Sequence, residues 1–131
     1  MRALIVEDTL INQEFLKMIL EGWDCVVVES GEDGVEAFTS ALEEETPFDV
    51  VFMDIMLPGM DGLQALEHIR HVEQRKGVAA ADEVKAIITT ALDDDSKASR
   101  AYIHGKAVSY ITKPVREEKV QSELRNFGLM D

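Results

Sequence analysis

The chain has 131 residues, with 26 acidic against 13 basic side chains and a formal net charge of −13. Hydrophobic residues make up 46%, which is enough for a packed core and excludes a disordered chain. A surface this negative repels phosphate backbones and anionic lipid, which argues against nucleic-acid or membrane binding as the main task. The one cysteine, Cys25, excludes an internal disulfide. No signal-type apolar segment opens the sequence and no run is long enough to span a bilayer, so a soluble cytoplasmic protein is expected.

The hydrophobic pattern alternates between strand and helix periods. Residues 3–6 form a short, continuously apolar run that stops at Glu7 and Asp8, which predicts a strand covered on both faces. Ile11, Phe15, Met18 and Ile19 recur at helical spacing and predict one buried helix face, with Thr9 or Asn12 at its start and Gly22 at its end. Residues 25–28 are a second strand and 31–34 a turn. Val35, Ala37, Phe38, Ala41 and Leu42 mark a second helix, closed before Pro47. Residues 48–53 are a third strand ending at Asp54, and 57–62 a loop rich in Pro and Gly. Leu63, Leu66, Ile69 and Val72 mark a third helix, and residues 84–89 a fourth strand. Asp93, Asp94, Asp95 and Ser96 suit a helix start, followed by a modest apolar face of Ala98, Ala101 and Tyr102. Residues 108–112 are a fifth strand, and Val120, Leu124 and Phe127 a closing helix.

Five strand–helix units predict an α/β fold with a mostly parallel sheet and right-handed crossovers, filling residues 1–131 as a single domain. Ligands of such sheets bind beyond the carboxyl ends of the strands. Those ends carry Glu7-Asp8, Asp54, Thr89-Thr90-Ala91 and Lys113-Pro114. A nucleotide cradle needs glycines after the first strand, where this chain has two acids. Converging acids suit a hard cation such as magnesium, which takes oxygen ligands and relieves their repulsion. Beside that cation, the Asp54 carboxylate can act as a nucleophile toward phosphorus. The Lys113 ammonium and the Thr90 hydroxyl can then hold phosphoryl oxygens.

Four stretches carry a family resemblance: LIVED (4–8), FMDIMLPGMDG (52–62), ITTA (88–91) and YITKP (110–114). In this order and on these elements, the chain resembles the receiver domain of bacterial two-component response regulators over essentially its whole length. The resemblance implies a flavodoxin-like (βα)5 three-layer sandwich with a parallel sheet of order 2-1-3-4-5. It implies that Asp54 is the phosphoacceptor and that Mg2+ is the cofactor. Asp8 would ligate the metal directly and Glu7 partly through water, with Asp54 and the Met56 backbone carbonyl completing the protein ligands. Thr90, Ala91, Lys113 and Tyr110 would be the phosphoryl-binding and switch residues, and Pro114 would follow a cis bond. Partners would be a sensor histidine kinase or histidine phosphotransfer protein and a downstream effector of unknown kind, with no direct nucleic-acid or membrane contact. The face around Tyr102, Lys106 and Tyr110 offers room for a weak homodimer. With no output domain expected after the last helix, the signal would pass by partner contact, as in stand-alone chemotaxis regulators. Three departures stand out: Glu-Asp in place of Asp-Asp, Lys106 where glycine is common, and a longer stretch at 71–83.

Each motif also has a simpler reading. Glu7 and Asp8 could cap the first helix, Asp54 could serve turn chemistry, and the threonines could be plain strand formers. Thr90 is taken as the inward one because Ala91 follows it. His68 and His71 read as an exposed pair without a third zinc ligand, Cys25 as a small buried hydrophobe, Met53 as core and Met56 as pocket rim. The main alternative function is a small Mg2+-dependent phosphatase of haloacid-dehalogenase type. That chemistry wants a second Asp two positions after the nucleophile, where this chain has Met56. Autodephosphorylation is expected to be slow, since Met56 and Leu92 offer no polar group to orient water.

Overall fold

The computed structural model of the chain describes residues 1–91 and 109–131. Strand β1 (Arg2–Val6) leads through α1 (Leu10–Ile19) to β2 (Asp24–Val28), and α2 (Gly31–Glu43) leads to β3 (Val50–Asp54). Then follow α3 (Gly62–Arg75), a 3-10 turn (Ala80–Asp82), β4 (Lys85–Thr90), β5 (Ser109–Thr112) and α4 (Glu117–Asn126). The helix expected around Ala98, Ala101 and Tyr102 lies outside the described residues, as do Leu92 and Lys106.

The five strands pair in parallel in the order β2-β1-β3-β4-β5, which is the flavodoxin-like arrangement. The chain starts mid-sheet, runs outward to β2 and returns to β3 on the other side of β1. The order therefore reverses between β1 and β3, where a parallel sheet opens its binding crevice. Glu7-Asp8 and Asp54 follow those two strands. Pairing of Val6 with Met53 and of Asp54 with Thr89 brings the strand ends level.

Strand side chains alternate between two cores. Leu4, Val6, Val51, Met53, Ala86 and Ile88 pack under α2 and α3, with Phe38, Leu66 and Ile69. Ala3, Ile5, Val50, Phe52, Ile87 and Ile111 pack under α1 and α4, with Leu16, Val120 and Leu124. A helix layer on each face explains why these strands are apolar on both sides.

Two expectations need correction. Ile11 and Met18 are not on the buried face of α1: they are 78% and 60% exposed, while Leu16, Ile19 and Leu20 are buried. α1 carries apolar side chains around most of its circumference, so two faces satisfy helical spacing and contact with the sheet selects one. Residues 31–34 are not a turn but the start of α2, where the Ser30 Oγ accepts from the Asp33 N–H at 3.1 Å. Both glycines there serve close packing. A Cβ on Gly31 would lie 2.7 Å from the Met60 carbonyl oxygen, and one on Gly34 would lie 2.9 Å from Val6 Cγ2.

The third helix starts on a capping box. Asp61 Oδ1 accepts from the Gln64 N–H at 2.9 Å, and Gln64 Oε1 accepts from the Asp61 N–H at 3.0 Å. Near its other end, a buried ion pair joins Arg70 Nη1 to Glu73 Oε1 at 2.7 Å. The same Nη1 donates to the Val84 carbonyl at 2.9 Å, and the Val84 N–H donates to Glu73 Oε2 at 2.7 Å. These bonds fasten α3 to the entry of β4, at the opposite edge of the sheet from the acids.

Candidate functional site

Each polar group of the crevice is delivered by a strand end. The Glu7 N–H continues the ladder past β1 by donating to the Val28 carbonyl at 3.0 Å, and the chain then turns into α1. Asp54 is the last residue of β3. Beyond β5, the Lys113 N–H donates to the Thr90 carbonyl at 2.6 Å, and the Lys113–Pro114 peptide is cis. Gly62 lets the loop after β3 fold back, because a Cβ there would overlap the Asp54 carbonyl.

Carboxylate oxygens of Glu7, Asp8 and Asp54 all lie within 4.8 Å of one another. Glu7 and Asp54 are each 2% exposed, whereas Asp8 faces solvent. Lys113 Nζ bridges the two buried acids, 3.0 Å from Asp54 Oδ2 and 3.1 Å from Glu7 Oε2. The remaining oxygens are also held. Glu7 Oε1 accepts from the Thr9 N–H at 3.2 Å and from Asn12 Nδ2 at 3.4 Å, and Asp54 Oδ1 accepts from the Met56 N–H at 3.1 Å.

Among the described residues, three carboxylates face one ammonium. At an effective dielectric constant of 20, two unit charges this close repel by about 3 kcal/mol or more. Burial pushes the Asp54 carboxyl above its ordinary value; the Lys113 hydrogen bond opposes the rise and the Glu7 charge adds to it. Burial works against the Lys113 ammonium, but its bonds to Asp54 and Glu7 outweigh that effect and its pKa rises. The donor set is all oxygen, converges on one crevice and carries more negative charge than Lys113 balances. It fits a hard divalent cation such as Mg2+. Among the described residues this is the one cluster of possible metal ligands, and His68 and His71 stand exposed on α3 without a third ligand.

The other expected site residues lie around this centre. Thr89 pairs with Asp54 and shares its face, whereas Thr90 shares the opposite face with Ile88 and its cross-strand partner Tyr110. Thr90 is buried, Ala91 is exposed at the strand end, and Tyr110 is half-buried against the core beneath α2 and α3. The Met56 side chain is exposed at the crevice mouth. One contributor went unread in the sequence: Gln13 is 8% exposed and donates from Nε2 to the Glu7 carbonyl at 2.7 Å. Its signal is phase, for Gln13 stands three and seven residues before the buried Leu16 and Leu20. No described helix is long and apolar enough to cross a membrane.

The chain is similar to several known proteins. The chemotaxis protein CheY of Listeria monocytogenes is 32% identical over 124 residues, which cover 95% of both chains. The receiver domain of the yeast response regulator Ssk1, solved with the histidine phosphotransfer protein Ypd1, superposes with a TM-score of 0.82. It is 26% identical, over 98% of this chain and 88% of that one. The receiver domain of a sensor histidine kinase from Pseudomonas aeruginosa, solved with magnesium in its active-site cleft, gives a TM-score of 0.77. It is 25% identical, over 96% and 95% of the two chains. Among curated relatives, the chain spans only 12% of the length of a probable histidine kinase from rice and a sensor histidine kinase from Pseudomonas protegens that it matches. The haloacid-dehalogenase alternative finds no support, since Met56 occupies the place of the second aspartate. The response regulator receiver domain matches residues 3–125, nearly the full sequence, and the chain belongs to that family of two-component signalling phosphoacceptors.

Proposed function

We propose that the chain is a phosphorylation switch in which Asp54 takes a phosphoryl group from a phosphohistidine and the surface around Tyr110 reports its arrival. The observation that carries this reading is the buried pair Glu7 and Asp54 bridged by Lys113, with Asp8 at the rim. Glu7, Asp8, Asp54 and the Met56 carbonyl are the groups to hold Mg2+. When bound, the ion offsets the acids' negative charge and draws phosphoryl oxygens as a Lewis acid.

An Asp54 carboxylate oxygen forms the new bond to phosphorus as the phosphorus–nitrogen bond breaks, and the electron pair leaves with the donor imidazole. Met56 N–H holds Asp54 Oδ1 and Lys113 holds Oδ2, so the carboxylate is oriented from both sides. Lys113 then turns its charge to the incoming phosphoryl oxygens. Its backbone bond to the Thr90 carbonyl ties that movement to the end of β4. There the Thr90 hydroxyl reaches for the phosphoryl group, beside Ala91, and Tyr110 on the same face senses the change. The two surface states exist beforehand, and phosphorylation shifts their balance. Water later hydrolyses the acyl phosphate, slowly, because Met56 at the mouth presents a thioether and no group to orient it.

The donor is a sensor histidine kinase or a histidine phosphotransfer protein. The rim supports a protein donor: Leu10 and Ile11, two and three residues after Asp8, and Met56, two residues after Asp54, are three of the five large exposed hydrophobic residues among those described. The effector that reads the switched surface is a further protein. The free Cys25 suits the reducing cytoplasm.

Acetyl phosphate and Mg2+ test the chemistry without a partner. The wild type is expected to gain one hydroxylamine-labile phosphoryl group and Asp54→Asn none. Labelling of that variant at the wild-type rate would overturn the assignment.

A further inference from the structure

We infer that Gln13 is a positioning residue for the cation site, acting through the peptide that joins Glu7 to Asp8. This inference rests on the cation reading of the acid cluster and extends it to a residue that touches neither metal nor phosphoryl group.

The turn between β1 and α1 is short, and its carboxylates are useful only if its backbone holds one orientation. Thr9, at the cap position of α1, makes no side-chain cap bond; the Glu7 side chain takes the Thr9 N–H instead. Glu7 is thereby engaged at every polar atom: N–H to Val28, carbonyl to Gln13, Oε1 to Thr9 and Asn12, Oε2 to Lys113. Asp8 is different. Its carboxylate meets only the Thr9 hydroxyl, at 3.5 Å, among the bonds of the described residues. The direction of the Asp8 side chain is therefore set by the backbone on either side of it.

On the amino-terminal side, that backbone is the Glu7–Asp8 peptide, and its carbonyl is the group that Gln13 holds. Rotation of this peptide would swing the carbonyl away from Gln13 Nε2 and carry the Asp8 carboxylate off the crevice. Gln13 is well suited to prevent it. It sits in the first turns of α1 on the face toward the sheet, the bond is short at 2.7 Å, and the residue is buried, so water competes poorly for the carbonyl.

The test is Mg2+ binding by calorimetry, with no phosphodonor present. Gln13→Met keeps the volume and removes the donor. Loss of one buried hydrogen bond is expected to weaken Mg2+ binding about five- to tenfold. Ile19→Val is the control, a trim of the same helix face remote from the turn, and it is expected to bind as the wild type does. A second reading needs no variant. In the wild type, the Gln13 side-chain amide protons are expected to exchange with solvent slowly, more so with Mg2+. Wild-type affinity in Gln13→Met, equal weakening in Ile19→Val, or fast exchange of the Gln13 amide would each overturn the inference. Absence of Mg2+ binding by the wild type would be a separate failure, that of the cation reading itself.

Discussion

Replacing Glu73 by alanine removes the acid from the buried pair that fastens α3 to β4. The Arg70 guanidinium then keeps its bond to the Val84 carbonyl but loses the Glu73 carboxylate, and the Val84 N–H loses its acceptor. Removing the acid from this buried ion pair costs about 3–5 kcal/mol, because a charge-assisted bond is lost in a place water reaches poorly and the Val84 N–H keeps no acceptor there. An orphaned backbone donor alone accounts for about 1–3 kcal/mol of that. With a urea dependence of roughly 2 kcal/mol per molar, the unfolding midpoint should fall by about 2 M. Replacing both residues by apolar ones of similar volume, in Arg70→Met with Glu73→Leu, should recover part of the loss, since no buried charge then needs desolvation. Urea unfolding in EDTA, followed by circular dichroism, measures all three chains. The pair lies a strand's length from the acids, roughly 20 Å for the six residues of β4. Mg2+ affinity of the folded fraction should therefore be unchanged. A midpoint within about 0.5 M of wild type for Glu73→Ala would refute the reasoning.

Other outcomes follow from the crevice. The Asp54 carboxyl titrates above the ordinary 3.8, chiefly through burial, so the folded chain favours its neutral form more than the unfolded chain does. Its stabilising contribution is whole below that value and is lost as pH rises through the folded-state pKa. In EDTA, Asp54→Asn should thus be more stable than wild type near neutral pH, with an advantage that shrinks toward pH ~4; a constant difference in parallel urea melts would refute this. Since acceptance needs the carboxylate, labelling by acetyl phosphate should decline on acidification from a pH above 3.8, as a rate profile would show. Gly62→Ala would press a methyl group onto the Asp54 carbonyl, and should lose about 2 kcal/mol and slow labelling; a wild-type melting curve would contradict the packing. Ile11→Asp should leave acetyl phosphate labelling intact but slow transfer roughly tenfold from a phosphorylated histidine phosphotransfer protein that labels wild type. Equal slowing of both reactions would remove the apolar rim from donor recognition.

The strands were readable because a helix layer covers each face of the sheet, leaving runs such as Ala3, Leu4, Ile5 and Val6 with no polar interruption. Parallel order then carried Glu7, Asp8, Asp54 and Lys113 to one edge, so their convergence could be anticipated before any distance was known. α1 misled because Ile11 and Met18 satisfy the same spacing as residues that are buried, and periodicity does not say which face meets the sheet. Gly31 and Gly34 looked like turn residues because their service is to Met60 and Val6, distant in sequence. Gln13 and the Arg70–Glu73 pair escaped for a related reason: what they bind is the main chain of Glu7 and Val84, and backbone partners leave no trace in side-chain identity.

The Arg70, Glu73 and Val84 contacts also close the base of the excursion that runs from Lys76 to Glu83. A loop stapled at its root can change length at its tip with little effect on the body beneath it. Gly77, with φ near 73° and open space around it, is a natural point for a fluorescent peptide or an affinity handle. Such an appendage would ride on the far rim of the sheet, leaving the crevice free to be watched in a working cell.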